Sequence, residues 1–201
     1  MSCADARIGI LGGVFDPVHC GHLAAALLAK EHFGLDEVLF VPSGSPPHKP
    51  AVAVSPDDRL NMLKLALAGV DGCGVWDGEL RRGGYSYTID TLNELGGLYA
   101  GAKFYFIIGT DNLPEIAKWR SYEEILSRVT LCAAFRPGYA ADRPEALAAA
   151  DIRDFPGPMW GSSSTMLREY LGEGHSCKFM IPDAVLEYIR EKGLYGYSRG
   201  R

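Results

Sequence analysis

Short apolar runs alternate with helical patterns from one end of the chain to the other. Five runs are candidate strands, at residues 7–12, 38–41, 74–77, 103–108 and 129–135. Residues 104–108 are apolar without polar alternation, which is typical of a strand that is buried on both faces. Strands of this kind predict a parallel sheet.

Signals for helix ends lie between these strands. Ser55 predicts an N-cap before Pro56, and leucines follow at helical spacing. Ser121 with Glu124 predicts a capping box at a second helix. Two further helices are expected to run from Gly21 to Gly34 and from Pro182 to Gly193, with a glycine closing each. The first of these helices is expected to run through Leu23, Ala26, Leu27 and Lys30.

This alternation predicts an α/β fold: a doubly wound, Rossmann-like parallel sheet with helices on both faces and right-handed crossovers. The length of 201 residues is typical of a single domain, 1–201, with a C-terminal helical part at about 162–195.

Composition narrows the class of protein. Hydrophobic residues make up 47% and charged residues 22%, as in ordinary globular proteins, and the net charge of −5 favours neither nucleic acid nor membrane as a partner. The longest apolar run, 23–29, is too short to span a bilayer, and the first residues resemble no leader, so we expect a cytoplasmic protein. The five cysteines are widely spaced without a C-x-x-C pair, which predicts reduced thiols.

A glycine- and histidine-rich string follows the first predicted strand, where open α/β sheets bind ligands. It reads Gly12-Gly13-Val14-Phe15-Asp16-Pro17-Val18-His19-Cys20-Gly21-His22. Paired glycines and a helix N-terminus can present N–H groups to a phosphate, and both histidines can point at the same place. The alternatives are a plain turn with two polar histidines, or a metal site at His19, Cys20 and His22, which lacks further ligands.

The string resembles the G-G-x-F-D-P-x-H-x-G-H signature of the nucleotidylyltransferase superfamily. The resemblance implies that Gly12, Gly13 and Phe15 bind ATP. It also implies that His19 and His22 contact the ATP phosphates and stabilise charge as pyrophosphate leaves.

A second string, Ser162-Ser163-Ser164-Thr165-Met166-Leu167-Arg168, resembles the superfamily's I-S-S-T-x-I-R motif. The resemblance implies that its polar members bind ATP phosphate: Ser163, Ser164, Thr165 and Arg168. Ser162 and Leu167 stand where the family usually has isoleucine, which changes the packing beneath these groups. An ordinary N-cap at the serines is the alternative.

Further segments resemble the bacterial nicotinate-mononucleotide adenylyltransferase family. They are Pro46-Pro47-His48-Lys49, Tyr85-Ser86-Tyr87-Thr88, Ile107-Ile108-Gly109-Thr110-Asp111, Arg136-Pro137-Gly138 and the closing helix of 182–195. The resemblance therefore covers about 8–195.

This family resemblance assigns the remaining candidate residues. Lys49 is expected to assist catalysis and His48 to bind nicotinate mononucleotide, from a loop that prolines stiffen. Gly109 and Asp111 are expected at ATP, with the Asp111 carboxylate on ribose hydroxyls or, alternatively, at a helix cap.

The nicotinate mononucleotide site is expected to include Tyr87, Thr88, Trp119, Arg120 and Arg136. Trp119, placed in the helix after 103–108, is suited to stack on a pyridine ring, and main-chain N–H groups are expected to hold the carboxylate. Arg120 is either solvated or adds a charge-assisted bond to that carboxylate.

The implied reaction joins nicotinate mononucleotide to the adenylyl group of ATP and releases pyrophosphate, by direct in-line attack. Mg²⁺ is expected as a cofactor bound mainly through the ATP phosphates, with no protein metal site. The alternatives are transfer to nicotinamide mononucleotide or phosphopantetheine, or a regulator that binds nucleotide without catalysis. The sequence leaves open whether the chain forms a homo-oligomer.

Overall fold

Six parallel strands form one sheet in the computed structural model, which describes residues 5–44, 52–135, 143–158 and 161–197. The sheet order is β3-β2-β1-β4-β5-β6. The strands are β1 (Arg7–Gly13), β2 (Glu37–Pro42), β3 (Cys73–Val75), β4 (Lys103–Gly109), β5 (Val129–Phe135) and β6 (Ile152–Pro156). This order reverses direction between β1 and β4, and ligands of doubly wound sheets bind at such a point.

Eight α-helices connect and flank the strands among the described residues. They are α1 (Cys20–Phe33), α2 (Pro56–Leu67), α3 (Gly78–Arg82), α4 (Thr88–Leu98), α5 (Leu113–Ile116), α6 (Tyr122–Arg128), α7 (Ser164–Gly172) and α8 (Asp183–Lys192). Short 3₁₀ turns occupy Thr110–Asn112, Glu145–Leu147 and Leu194–Gly196.

The helices bury apolar residues on both faces of the sheet, as predicted. Residues of α1, α2, α7 and α8 pack on one face, and residues of α4, α5 and α6 pack on the other. Successive β2 residues alternate between the two cores: Phe40 joins the first cluster, whereas Leu39 and Val41 join the second. The doubly wound Rossmann-like fold is confirmed.

Most predicted strands agree with the structure to within a residue or two. The third prediction extends too far, because β3 ends at Val75 and leaves Asp77 outside. β6 was not predicted: it is an edge strand in which Arg153 and Asp154 are exposed, so it lacks the apolar run that marks the inner strands.

Three of the predicted helix-end signals agree with the structure and one does not. Gly34 and Gly193 take the left-handed conformation at their C-caps, and the Ser55 hydroxyl accepts from the Asp58 N–H at 3.1 Å. The capping box at Ser121 is wrong: its φ is 55° and its side chain makes no cap hydrogen bond. A capping side chain needs extended backbone at that position, which a left-handed residue does not have.

The first helix packs more closely than its leucines suggest. Ala26 and Ala29 are fully buried, whereas Leu27 is 38% exposed. Small residues allow the helix backbone to approach the sheet and leave the larger side chain at the rim.

Two further expectations concern the chain as a whole. The four cysteines within the described ranges are free thiols, as expected: Cys20, Cys73, Cys132 and Cys177. In those same ranges, no helix is both long and apolar enough to cross a membrane.

Candidate active site

The turn between β1 and α1 lies beside the reversal of strand order. Its backbone is unusual at Phe15, whose φ is 53° and whose ring is buried. A Cβ on Gly13 would lie 3.0 Å from that ring, a tight contact, so glycine lets the turn fold over Phe15 without displacing the ring. The glycine-rich pattern therefore creates a folded-back turn at the carboxyl end of β1.

Both motif histidines lie at the start of α1. His19 is the N-cap residue, and its ring centroid lies 3.7 Å from that of His22. The His19 N–H donates to His22 Nδ1 at 3.3 Å, so Nδ1 is an acceptor and the proton of a neutral His22 ring resides on Nε2. Nε2–H of His22 is then a directed donor. The expectation that both histidines share one place is confirmed, while their chemical role stays a prediction.

The serine-rich string of residues 162–168 packs directly against the start of α1. The Ser164 hydroxyl donates to the Pro17 carbonyl at 3.0 Å, and a Cβ on Gly21 would lie 3.3 Å from Ser162 Oγ. Ser163 caps α7 by accepting from the Met166 N–H. The N-termini of α1 and α7 are thus neighbours, and neither has an acidic residue in its first turn. Two adjacent helix N-termini favour an anion.

Arg168 holds the two motifs together. Its Nη1 donates to the Asp16 carbonyl at 2.7 Å, and its Nη2 donates to Thr165 Oγ1 at 3.2 Å. The guanidinium therefore lies at the β1 turn, as the motif predicts, and the described residues accept from only part of its donor fork.

The Asp16 carboxylate is buried and accepts hydrogen bonds from residues that are distant in the sequence; we call it the hub. Its Oδ2 accepts from the Ala53 N–H at 2.7 Å, and its Oδ1 accepts from the Tyr195 hydroxyl at 2.8 Å. Burial and this hydrogen bond hold the pKa of Tyr195 far above its ordinary value. The C-terminal turn is thus bonded to the glycine- and histidine-rich turn across a sequence separation of 179 residues.

Arg59 is a buried cation that sequence reasoning missed. Its Nη1 donates to the carbonyls of Val14 at 2.9 Å and Ser43 at 2.7 Å, and its Nη2 lies 3.4 Å from the Gly44 carbonyl. Burial lowers the pKa of Arg59, while the nearby Asp16 opposes that shift. The available signal was an arginine on the buried face of α2, three residues before Met62.

A second group of predicted residues gathers beyond β3 and β4. The Arg120 guanidinium lies 4.9 Å from the Tyr87 ring centroid, so these two segments meet. Trp119 packs edge-on against Phe106 with centroids 5.6 Å apart and remains half-buried. Its predicted place in a helix is wrong, because α5 ends at Ile116 and Trp119 lies in the bend that follows. Thr88 is the first residue of α4.

Asp111 lies just after the central strand β4. Gly109 makes room for it, because a Cβ there would overlap Asp111 Oδ1. Asp111 is exposed, and neither helix start at this point has a side-chain cap hydrogen bond. The cap alternative is therefore wrong, and the carboxylate is available at the carboxyl end of the sheet.

Three predicted site residues, His48, Lys49 and Arg136, lie outside the described residues. Their predicted roles stay predictions.

A cavity of about 920 Å³ opens beside the two helix starts. Cys20, Ser162 and Asp183 supply its polar lining, and its apolar lining includes these side chains: Met166, Phe179, Met180 and Ile181. In the described part of the chain, no group of three or more His, Cys, Asp or Glu side chains could hold a metal ion.

Comparison with known proteins identifies the family. Residues 10–170 match the cytidylyltransferase-like family model. A protein of Oceanobacillus iheyensis named probable nicotinate-nucleotide adenylyltransferase is 41% identical over 193 residues, covering 96% of this chain and 98% of that protein. A protein of Halalkalibacterium halodurans with the same name is 42% identical, covering 97% of this chain and 94% of that protein. This chain belongs to the nicotinate-nucleotide adenylyltransferase family.

Solved structures agree with this family at the level of the fold. The Plasmodium falciparum nicotinic acid mononucleotide adenylyltransferase complexed with NaAD superposes with a TM-score of 0.80 at 20% identity, covering 96% of this chain and 98% of that chain. A Vibrio parahaemolyticus structure described as a putative nicotinate-nucleotide adenylyltransferase superposes with a TM-score of 0.70 at 23% identity, with the same coverage.

Proposed function

We propose that the chain transfers the adenylyl group of ATP to nicotinate mononucleotide, giving nicotinate adenine dinucleotide and pyrophosphate. The observation that carries the proposal is the meeting of two helix N-termini with His19, His22 and Arg168 at the β1 turn. Family membership supports the substrate pair, because the relatives bear the name of this activity.

The phosphate side of the site can stabilise the transferring group. A phosphate oxygen of nicotinate mononucleotide attacks the α-phosphorus of ATP. The bond from that phosphorus to the bridging oxygen breaks, and pyrophosphate leaves with the bonding electrons. Nε2–H of His22, the remaining Arg168 donors and the two helix N-termini offer positive potential where negative charge accumulates. Orientation and charge stabilisation are sufficient for this step, and no covalent enzyme intermediate is needed.

We assign the adenosine part of ATP to the 920 Å³ cavity, since it adjoins the phosphate groups through Cys20 and Ser162. Its methionine and phenylalanine side chains suit a flat aromatic base. Gly109 and Asp111 lie at the end of β4, where the carboxylate can accept from ribose hydroxyls.

We assign the nicotinate ring to the neighbourhood of Tyr87, Thr88, Trp119 and Arg120, with His48 and Arg136 as further candidates from the sequence. The half-buried Trp119 offers a ring for stacking, and Arg120 brings a cation beside Tyr87.

Mg²⁺ fits this site as an ion that arrives with ATP. Asp16 is already engaged by Ala53 and Tyr195, and the described residues offer no carboxylate cluster, so the phosphates would be its main ligands. When bound, it would neutralise charge on the polyphosphate. Free thiols and the use of ATP fit a cytoplasmic enzyme.

The test is pyrophosphate release with chromatographic detection of the dinucleotide. The enzyme is given ATP and Mg²⁺ with nicotinate mononucleotide, nicotinamide mononucleotide or phosphopantetheine in parallel. We expect the highest kcat/KM with nicotinate mononucleotide. Equal kcat/KM for the acid and the amide would contradict the substrate assignment, and no release with any acceptor would favour a regulator that only binds nucleotide.

A further inference from the structure

The two residues after β2, Ser43 and Gly44, contact both halves of the site; we call them the β2 junction. The Ser43 N–H donates to the Gly13 carbonyl at 2.9 Å, and its hydroxyl lies 3.2 Å from the same oxygen. The Gly44 N–H donates to the Ser86 hydroxyl at 2.9 Å. One side of the junction thus holds the glycine-rich turn, and the other holds the segment that ends in Tyr87 and Thr88.

Arg59 of α2 hydrogen bonds both to the β2 junction and to the glycine-rich turn. Its guanidinium bridges the Val14 carbonyl to the carbonyls of Ser43 and Gly44, and its side chain is only 1% exposed. A buried arginine presents several donors in one rigid plane, so these carbonyls are held at defined separations.

Ser86 fastens the junction to the other segment. Its hydroxyl also hydrogen bonds to the buried Glu79 carboxyl, which accepts from Thr91 Oγ1 at 2.5 Å. A Cβ on Gly44 would lie 3.1 Å from the Glu79 carbonyl oxygen and 3.1 Å from Ser86 Oγ. The glycine therefore permits a close approach between the junction and this polar cluster.

Resting on the proposed function, we infer that the β2 junction sets the separation between the ATP and nicotinate mononucleotide sites, with Arg59 and Ser86 as its positioning residues. In-line transfer requires the attacking oxygen and the α-phosphorus to meet at a defined distance, and a displacement of about 1 Å costs orders of magnitude in rate. The junction is bonded to both substrate segments, so it transmits a shift of either one to the other.

The test is steady-state kinetics of the full-length enzyme with both substrates varied. Ser86→Ala removes the acceptor of the Gly44 N–H while leaving the phosphate turn untouched. We expect kcat to fall roughly 3- to 10-fold and the KM for nicotinate mononucleotide to rise, with the KM for ATP unchanged, as expected for the loss of one hydrogen bond. Ser86→Thr keeps the hydroxyl and should recover most of kcat.

Ser127→Ala is the matched control, because the Ser127 hydroxyl is exposed and donates to the Glu124 carbonyl on α6. Arg59→Lys keeps a cation but loses the planar fork, so its kcat should also fall. Both residues act through one junction. The fold-loss of kcat in the double variant should therefore be at least threefold smaller than the product of the two single fold-losses. Gly44→Ala replaces Arg59→Lys in this comparison if the lysine variant does not fold.

The outcomes separate the two proposals. If the parent enzyme forms no dinucleotide, the proposed function fails and this inference with it. If the parent is active but Ser86→Ala matches Ser127→Ala in kcat and both KM values, the inference alone is wrong. A lower melting temperature with unchanged kinetics, or a double variant that equals the product of the single effects, would overturn it too.

Discussion

The two halves of the site are built differently. The half that we assign to phosphate binding, the phosphate half, is made of residues 12–22, the start of α7 and Arg59 of α2. It depends on buried polar side chains: Asp16, His19 and Arg59 are each at most 5% exposed. The half that we assign to nicotinate binding, the nicotinate half, is made of residues 85–88 and 119–120. It lies at the surface, where Tyr85 is 65% exposed and Arg120 is exposed. Buried polar groups are costly unless satisfied, so changes in the phosphate half should have larger effects.

The largest expected effect comes from His22→Ala. Losing one preorganised donor to developing charge costs about 10²–10³ in kcat. His32→Ala is the control, since this exposed histidine lies at the far end of the same helix. Turnover is measured together with the thermal melting temperature, which should stay close to that of the parent. Activity within a few-fold of the parent would make His22 a structural residue.

Tyr195→Phe tests whether the hub at Asp16 supports the phosphate half. The variant removes a part-buried hydrogen bond to a carboxyl group, which contributes about 1.5–3 kcal/mol to the free energy of unfolding. Urea denaturation should show that loss, and Tyr197→Phe, a change in the same C-terminal segment, should not. Similar midpoints for the two variants would mean that Tyr195 acts only through its ring.

Arg120→Ala probes the exposed half, where a smaller effect is expected. If Arg120 faces the carboxylate, kcat/KM for nicotinate mononucleotide should fall about 3- to 10-fold, while the value for the amide scarcely changes. Lys118→Ala is the control, because this exposed lysine pairs with Glu115 instead. Equal losses on both substrates would indicate a general electrostatic effect.

The smallest effect concerns the pH dependence of stability. Burial raises the pKa of Glu79 above its ordinary value of 4.5, against the hydrogen bonds from Thr91 and Ser86 and the charge of Arg82, with Glu94 adding to the rise. The folded state therefore binds this proton more tightly than the unfolded state does. The free energy of unfolding should fall as pH rises from about 4.5 to the raised value of the folded protein.

Glu79→Gln lacks this titration and keeps a hydrogen-bond acceptor for Thr91. Urea denaturation across that pH window should show a fall for the parent relative to the variant. Parallel curves for the two proteins would contradict the assignment, and Glu191→Gln, at an exposed position on α8, controls for the loss of a surface charge.

Local sequence predicted the parts of the site that local chemistry determines. Gly13, His19 and His22 lie in the short segment that joins β1 to the first turn of α1, so their spacing alone predicted that they lie close together. The contact between Asp16 and Tyr195 could not be predicted in this way, because it depends on how α8 packs against the sheet. Arg59 was missed for a related reason: its partners are backbone carbonyls, which every residue carries and no motif marks.

In the fold, too, local sequence predicted some elements and not others. Inner strands such as β4 are apolar throughout and could be predicted, whereas the edge strand β6 carries charges and could not. The Ser121 signal failed because backbone conformation, set by the preceding bend, overrode the side-chain preference.

The chain between the β2 junction and α2 begins and ends on fixed points: the Gly44 N–H is bonded to Ser86, and the Ala53 N–H is bonded to Asp16. Lengthening a connection between two anchored ends adds little conformational cost, since closure entropy grows only with the logarithm of its length. An insertion between these two anchors should therefore leave both hydrogen bonds, and with them the positions of Ser86 and Asp16, unchanged.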